Sequence, residues 1–232
     1  MHRHGLLLAG LLAVLPPGGA AGGNLTVSPT RIELGAERTA GVVTLVNNDS
    51  TPSLVQVETF AWPRTPATAD LEPTRELMAV PPVFELQPGA RQVIRVALRA
   101  PHAGPAEAAY RLLISEVPRP GDAPGGVRFA LRLSLPVFAT PPGARAQPEW
   151  RIVADPAGSR LEVANTGTAH LQVQRIRLSG AADATIAQPA YVLPGRSQSW
   201  PLAVSLRPGS RLDLAADTNL GPLTVPLDVQ GG

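Results

Sequence analysis

The chain has 232 residues, room for one large or two ordinary domains; its 26 Pro and 22 Gly fall between short alternating runs, which argues against a helical protein and for an all-β one. A formal net charge of +2 is too small to argue for nucleic acid as a partner. Cysteine is absent, so there is no disulfide, no thiolate nucleophile and no cysteine-ligated metal.

Taken in order, the N-terminus carries Arg3 and two His, then the apolar run LLLAGLLAVL (6–15), then PPGGAAGG. That layout is a secretory signal peptide cleaved near Ala20 or Ala21; the run is too short to span a membrane. The alternative is an apolar N-terminal strand. Residues 25–34 (LTVSPTRIEL) form the first strand candidate, and Pro29 removes a backbone donor, so the strand is expected at an edge or broken there. Strands follow at 41–47 and 53–60, and the polar, Pro-rich 62–76 reads as a loop. Residues 77–85 (LMAVPPVFE) precede the turn Leu86-Gln87-Pro88-Gly89, in which Pro pre-sets one position and Gly accepts positive φ at the next. In 91–98, Val93, Arg95 and Ala97 oppose Ile94, Val96 and Leu98; another strand covers 109–117, and 118–126 is a loop.

The stretch 127–138 (VRFALRLSLPVF) organises the rest. Val127, Phe129, Leu131, Leu133 and Leu135 fall on one side of an extended strand, and Arg128, Ala130, Arg132 and Ser134 on the other. Such a row fits either a half-buried strand of an ordinary sandwich or a strand that lends its apolar side chains to another protein. Residues 139–148 (ATPPGARAQP) read as an interdomain linker. Beyond it, 150–154 and 159–165 flank a hairpin turn, and 169–178 alternates with a phase change at Arg175, the mark of a bulge. The remaining candidates are 191–193, 197–206 and 223–229. The expected division is a leader at 1–21, an immunoglobulin-like domain at 22–140, a linker at 141–148 and a second such domain at 149–232.

Catalytic constellations are missing from the pattern. His102 and His170 are far apart, and no HExxH, GxSxG or phosphate-binding glycine loop occurs. Asp213 and Asp217 read as solvated surface, so a metal site or hydrolase is disfavoured and neither cofactor nor nucleotide is expected. Binding remains. All 20 basic residues are Arg, so any cationic site is a guanidinium able to grip a carboxylate with two hydrogen bonds. Arg31 and Arg132 lie within candidate strands. They either protect strand edges or bind a carboxylate, including a chain terminus, in a cleft between two sandwiches.

Several segments, in this order and spacing, resemble the PapD-like family of periplasmic pilus-assembly chaperones: VSPTRIEL (27–34), VNND (46–49), PPVFELQPGARQVIRV (81–96), YRLLISEVP (110–118), LRLSLPVFATP (131–141), VANTGTAHLQV (163–173) and VLPGRSQSWPL (192–202). The ending SLPVF looks more like the archaic branch with the spore-coat-U-type systems. The resemblance implies two immunoglobulin-like domains in an L shape. It also implies that the last strand of domain one fills a groove in an incomplete pilin subunit, which then passes to an outer-membrane usher. The donor row would be Val127, Phe129, Leu131 and Leu133, each burial worth ~1.5–3 kcal/mol before ordering costs. The family anchors the subunit's terminal carboxylate with an Arg that matches Arg31 and a Lys whose position falls on Ser134. Arg132, two residues away on the same face, is the expected substitute. Gln87 stands where the family places a Glu that joins an interdomain ion pair, so that contact must be made differently. Self-association of the free chain stays open. The competing class is an immunoglobulin-like adhesion or carbohydrate-binding module, for which Trp62, Trp150 and Trp200 are too dispersed; a pilin or an enzyme fits less well.

Overall fold

The computed structural model describes residues 24–63, 71–118 and 130–232, and no helix occurs among them. The leader, residues 64–70 of the Pro-rich loop, most of the 118–126 loop and the donor-row residues Val127 and Phe129 lie outside the described residues.

The first half contains β1 (Leu25–Ser28), β2 (Ile32–Gly35), β3 (Ala40–Asn47), β4 (Ser53–Ala61), β5 (Glu72–Pro73), β6 (Leu77–Val80), β7 (Val83–Leu86), β8 (Arg91–Leu98), β9 (Ala108–Glu116) and β10 (Arg132–Thr140). They form two sheets, β1-β3-β8-β6 and β2-β10-β9-β4-β5, with β7 also on β4. Proline marks two of the places where the chain changes sheet. At Pro29 the first strand breaks as expected: β1 pairs with β3 and β2 pairs with β10. The run 77–85, read as one segment, also breaks, at Pro81-Pro82, so that β6 joins β8 and β7 joins β4. A residue without an N–H cannot donate to a ladder, so the crossing falls where a ladder bond is already missing. The expected loop after Trp62 includes the short β5, which pairs Pro73 with Phe60 and Glu72 with Ala61.

Between the sheets lies an almost wholly aliphatic core, as a chain with 4% aromatics requires: Val43, Leu45, Val55, Val57, Ile94, Val96, Leu112, Ile114, Leu135 and Val137 are its centre. The inward rows of β8 and β10 are those that alternation selects.

The second half contains β11 (Pro148–Asp155), β12 (Gly158–Asn165), β13 (Leu171–Gly180), β14 (Ala184–Ile186), β15 (Ala190–Val192), β16 (Ser197–Leu202), β17 (Arg211–Thr218) and β18 (Gly221–Gly231). One sheet, β14-β13-β17-β18-β11-β12-β16, wraps around its own core, because β18 pairs with β17 and then turns Val229–Gly231 parallel to β11. The register of β13 slips between Val173 and Arg175, the bulge that the phase change implied. The sequence reading passed over β14 and β17. In β17 Leu212, Leu214 and Ala216 are buried, while Asp213 is exposed on the outer face and Asp217 lies 4.0 Å from Arg177. Trp150 and Trp200, distant in sequence, stack at 6.3 Å against this core, so they do not form a surface platform.

Gly167 fits where the linker passes: a Cβ there would lie 2.2 Å from the Arg145 carbonyl oxygen and 2.5 Å from the Gln147 nitrogen.

Candidate functional site: a strand edge and an interdomain cleft

On one side β10 pairs with β9 along its length; on the other, β2 covers only Val137–Thr140. Residues 132–136 are therefore an open sheet edge. The Glu116 N–H donates to the Leu131 carbonyl at 2.9 Å, and alternation then turns the backbone of Leu133 and Leu135 toward β9 and that of Arg132, Ser134 and Pro136 outward. Arg132 and Ser134 each present an N–H and a C=O along this edge. Pro136 presents only a C=O, at the point where β2 takes over. The Glu116 carboxylate fixes the start of the edge, accepting from the Leu131 N–H at 3.0 Å and the Ser53 hydroxyl at 2.9 Å.

Leu131 and Leu133 are partly buried, and Leu133 packs on the domain-one core together with Leu25 and Val27 of β1. These side chains lie toward the open side of the sandwich, where β1 and the first half of β10 are both edges. An exposed edge beside half-covered apolar side chains is a template for pairing with another chain.

The opposite face of β10 looks into the junction between the halves. Phe138 is fully buried there; its ring stacks on His170 at 3.7 Å and 10° and lies 5.6 Å from Tyr191 and 6.3 Å from Trp62. Arg111, directly across from Pro136, sits over the Trp62 ring at 3.6 Å, and burial lowers its pKa. His170 and Glu107 are both buried: Nδ1 lies 2.9 and 3.0 Å from the two carboxylate oxygens, and the His170 backbone N–H and the Thr140 hydroxyl donate to the same carboxylate at 3.1 and 2.8 Å.

Arg31 lies in the break between β1 and β2, not inside a strand. Its Nη1 donates to Gln172 Oε1 of the second half, and its Nε pairs with Glu33 at 2.7 Å. Arg31, Glu33, Glu107, Thr140, Arg145 and His170 line a cleft of about 410 Å³. Parallel pairing sets Ile32 beside Val137, so Arg31 neighbours Pro136, and Arg132 lies four residues further along β10, ~13 Å at ~3.3 Å per residue. Arg31 and Arg132 are therefore not brought together; Arg145, from the linker, shares the cleft with Arg31. Among the described residues no three His, Asp or Glu side chains converge as a metal ion would require.

Residues 24–145 match the family model of pili and flagellar-assembly chaperones, PapD N-terminal domain. The chain belongs to that family. No curated protein sequence matches it. Among solved structures it is similar to the CsuC–CsuE chaperone–tip subunit complex of archaic chaperone-usher Csu pili from Acinetobacter baumannii, at 18% identity over 89% of this chain and 99% of that one, with a TM-score of 0.69. The E. coli chaperone DraB matches at 18% identity over 92% and 99%, TM-score 0.62. The Salmonella enterica SafA pilin–SafB chaperone complex matches at 17% identity over 87% and 95%, TM-score 0.64. These likenesses establish the fold: all-β, with two immunoglobulin-like domains.

For this chaperone the residues that sequence reasoning missed are those at the junction. Gln87 is exposed and donates to Glu85 at 2.9 Å. The contact between halves is made by Glu107–His170, Arg31–Gln172 and the aromatic cluster around Phe138. Glu107 had no sequence mark beyond being a single acid in the small-residue run PAEAAY. His170 was singled out only as lacking a nearby partner.

Proposed function

We propose that this chaperone binds a pilus subunit as an added strand along the open edge of β10, in the periplasm, and passes it to an outer-membrane usher. The observation that carries the reading is the unpaired edge at 132–136, bordered by the partly buried Leu131 and Leu133. Val127 and Phe129 would extend the same apolar row toward the N-terminus. That CsuC is paired with a tip subunit and SafB with a pilin supports a subunit as the partner. The leader at 1–21 would export the chain, with one domain at 22–140, a linker at 141–148 and the second domain at 149–232. No nucleotide is needed, since the donated strand supplies the missing packing. Arg31 is the proposed anchor for the subunit's terminal carboxylate. Arg132, ~13 Å away by strand rise, contacts the partner strand itself, not the same carboxylate. The SLPVF ending and the TM-score of 0.69 to the Csu chaperone favour the archaic branch.

The test is co-purification with the subunit encoded beside it, comparing wild type with Leu131→Glu. Loss of one apolar burial removes roughly 2 kcal/mol, and placing a carboxylate in an apolar groove adds to it, so recovery should fall more than tenfold. A folded variant that retains its partner equally well would make residues 131–135 an ordinary sandwich strand.

A further inference from the structure

Arg31 is not waiting empty-handed in the cleft. A guanidinium has five N–H donors, and it grips a carboxylate with two of them, either Nε with one Nη or both Nη groups. Here the Glu33 carboxylate takes Nε and the Gln172 amide oxygen takes one Nη1 hydrogen. The side-on grip is therefore blocked by an acid of the same chain, and the end-on grip is encumbered by a neutral group from the second domain.

We infer that Glu33 is an internal competitor that occupies Arg31 in the free chaperone and must be displaced before a partner's carboxylate is anchored. The inference rests on the cleft reading given under Proposed function. Glu33 suits the part by position. It pairs in register with Phe138, so its side chain stands on the cleft wall, yet it remains 45% exposed and can swing away. The other carboxylate of the cleft, Glu107, is engaged by His170 and Thr140 and has no such freedom. An arriving carboxylate meets like-charge repulsion from Glu33 until that side chain leaves. Gln172, being neutral, adds no such penalty and can stay as an end-on neighbour. The cleft thus discriminates by charge: a neutral chain end cannot repay the lost ion pair, whereas a carboxylate can.

The groups facing Glu33 are Arg31, Arg145, Glu107 and His170. Burial raises the Glu33 pKa, Arg31 and His170 oppose that, and Glu107 adds to it, for a net rise. As pH falls, Glu33 therefore takes up its proton, and releases Arg31, before a terminal carboxylate with an ordinary pKa of about 3.3–3.7 does.

The experiment uses the full chain and an N-acetylated apolar tetrapeptide with a free C-terminal carboxylate, its C-terminal amide serving as control. The Arg31 Nε–Hε resonance is followed by NMR in wild type, Glu33→Gln and Arg31→Gln, with the Arg31→Gln titration read on backbone amides of β2. An exposed ion pair is worth up to a factor of about five, so Glu33→Gln should bind the carboxylate peptide about three- to fivefold more tightly, with the amide still the weaker ligand. As pH is lowered, wild-type affinity should rise toward that of Glu33→Gln, which should lack the rise. If Arg31→Gln abolishes binding but Glu33→Gln binds no better than wild type, Glu33 is not a competitor and the cleft reading stands. If Arg31→Gln binds as wild type does, the cleft reading itself fails.

Discussion

Two buried asparagines do the same work in the two domains. Asn47 closes β3: its Nδ2 donates to the Thr51 and Leu86 carbonyls at 2.9 Å each, and its Oδ1 accepts from the Asp49 N–H at 2.9 Å. Asn165 closes β12: its Nδ2 donates to Ala169 and Val192 at 2.8 and 2.9 Å, and its Oδ1 accepts from Gln147 and Gly167 at 3.0 and 3.1 Å. Each Asn carbonyl also accepts from the turn glycine opposite, Gly89 or Gly195, at 2.8 Å, and those glycines have φ of 70° and 73°. Here lies the physical content of VNND with LQPG and of ANTG with LPG: one amide ties a strand end to the turn that packs beside it. Replacing Asn165 by Ala removes four hydrogen bonds of about 1 kcal/mol each, in a site too buried for water to repair all of them. We expect a loss of about 3–4 kcal/mol in urea unfolding followed on signals of the second domain; a loss below about 1 kcal/mol would mean that the turn holds without it. These motifs were legible because they are local and repeated. Glu107 with His170 was not, because 63 positions separate them and no periodicity links a lone acid to a lone imidazole.

At the scale of single strands, alternation was the dependable guide, and proline its punctuation. The inward row of β10 followed from the sequence, as did the break at Pro29. The second crossing, at Pro81-Pro82, went unread because the apolar residues continue through it. β17 was overlooked because Asp213 and Asp217 drew attention from Leu212, Leu214 and Ala216, although outward acids are what a half-buried strand permits. No pattern in one chain can tell which stretch of a strand lacks a neighbour; that emerged only from the short reach of β2 along β10. The edge makes a prediction that does not depend on side-chain packing. Ser134 is exposed and its N–H points away from β9, so Ser134→Pro removes one outward donor without breaking an internal ladder bond. Stability should change by less than about 1 kcal/mol, while subunit recovery falls at least fivefold, since the partner strand loses a backbone bond and meets the proline ring. Unaltered recovery with Ser134→Pro would place the subunit elsewhere than on this edge.

For the whole molecule, β10 is the member that ties the first domain's core to the junction, because consecutive residues serve different bodies. Val137 points into the domain-one core, and Phe138, next along the chain, points into the junction against His170, Tyr191 and Trp62. Two domains were expected from length, linker and repeated texture, but no sequence signal showed that β10 itself is clamped between them. Both side chains are fully buried, so truncating either costs stability; they differ in what comes loose. Val137→Ala should lower the unfolding temperature while the two domains still unfold together. Phe138→Ala, at about 3–5 kcal/mol for a buried Phe, should empty the centre of the junction while leaving both aliphatic cores in place. In calorimetry the wild type should then unfold with its domains coupled and Phe138→Ala as two separate transitions. Residual dipolar couplings in the variant should fit each domain alone but no single relative orientation. If Phe138→Ala instead behaves like Val137→Ala, the junction is held by Glu107–His170 and Arg31–Gln172 without the ring. The cleft would then keep its shape whatever happens on the apolar side of β10, and the orientation of the two domains would be independent of how tightly that strand is packed.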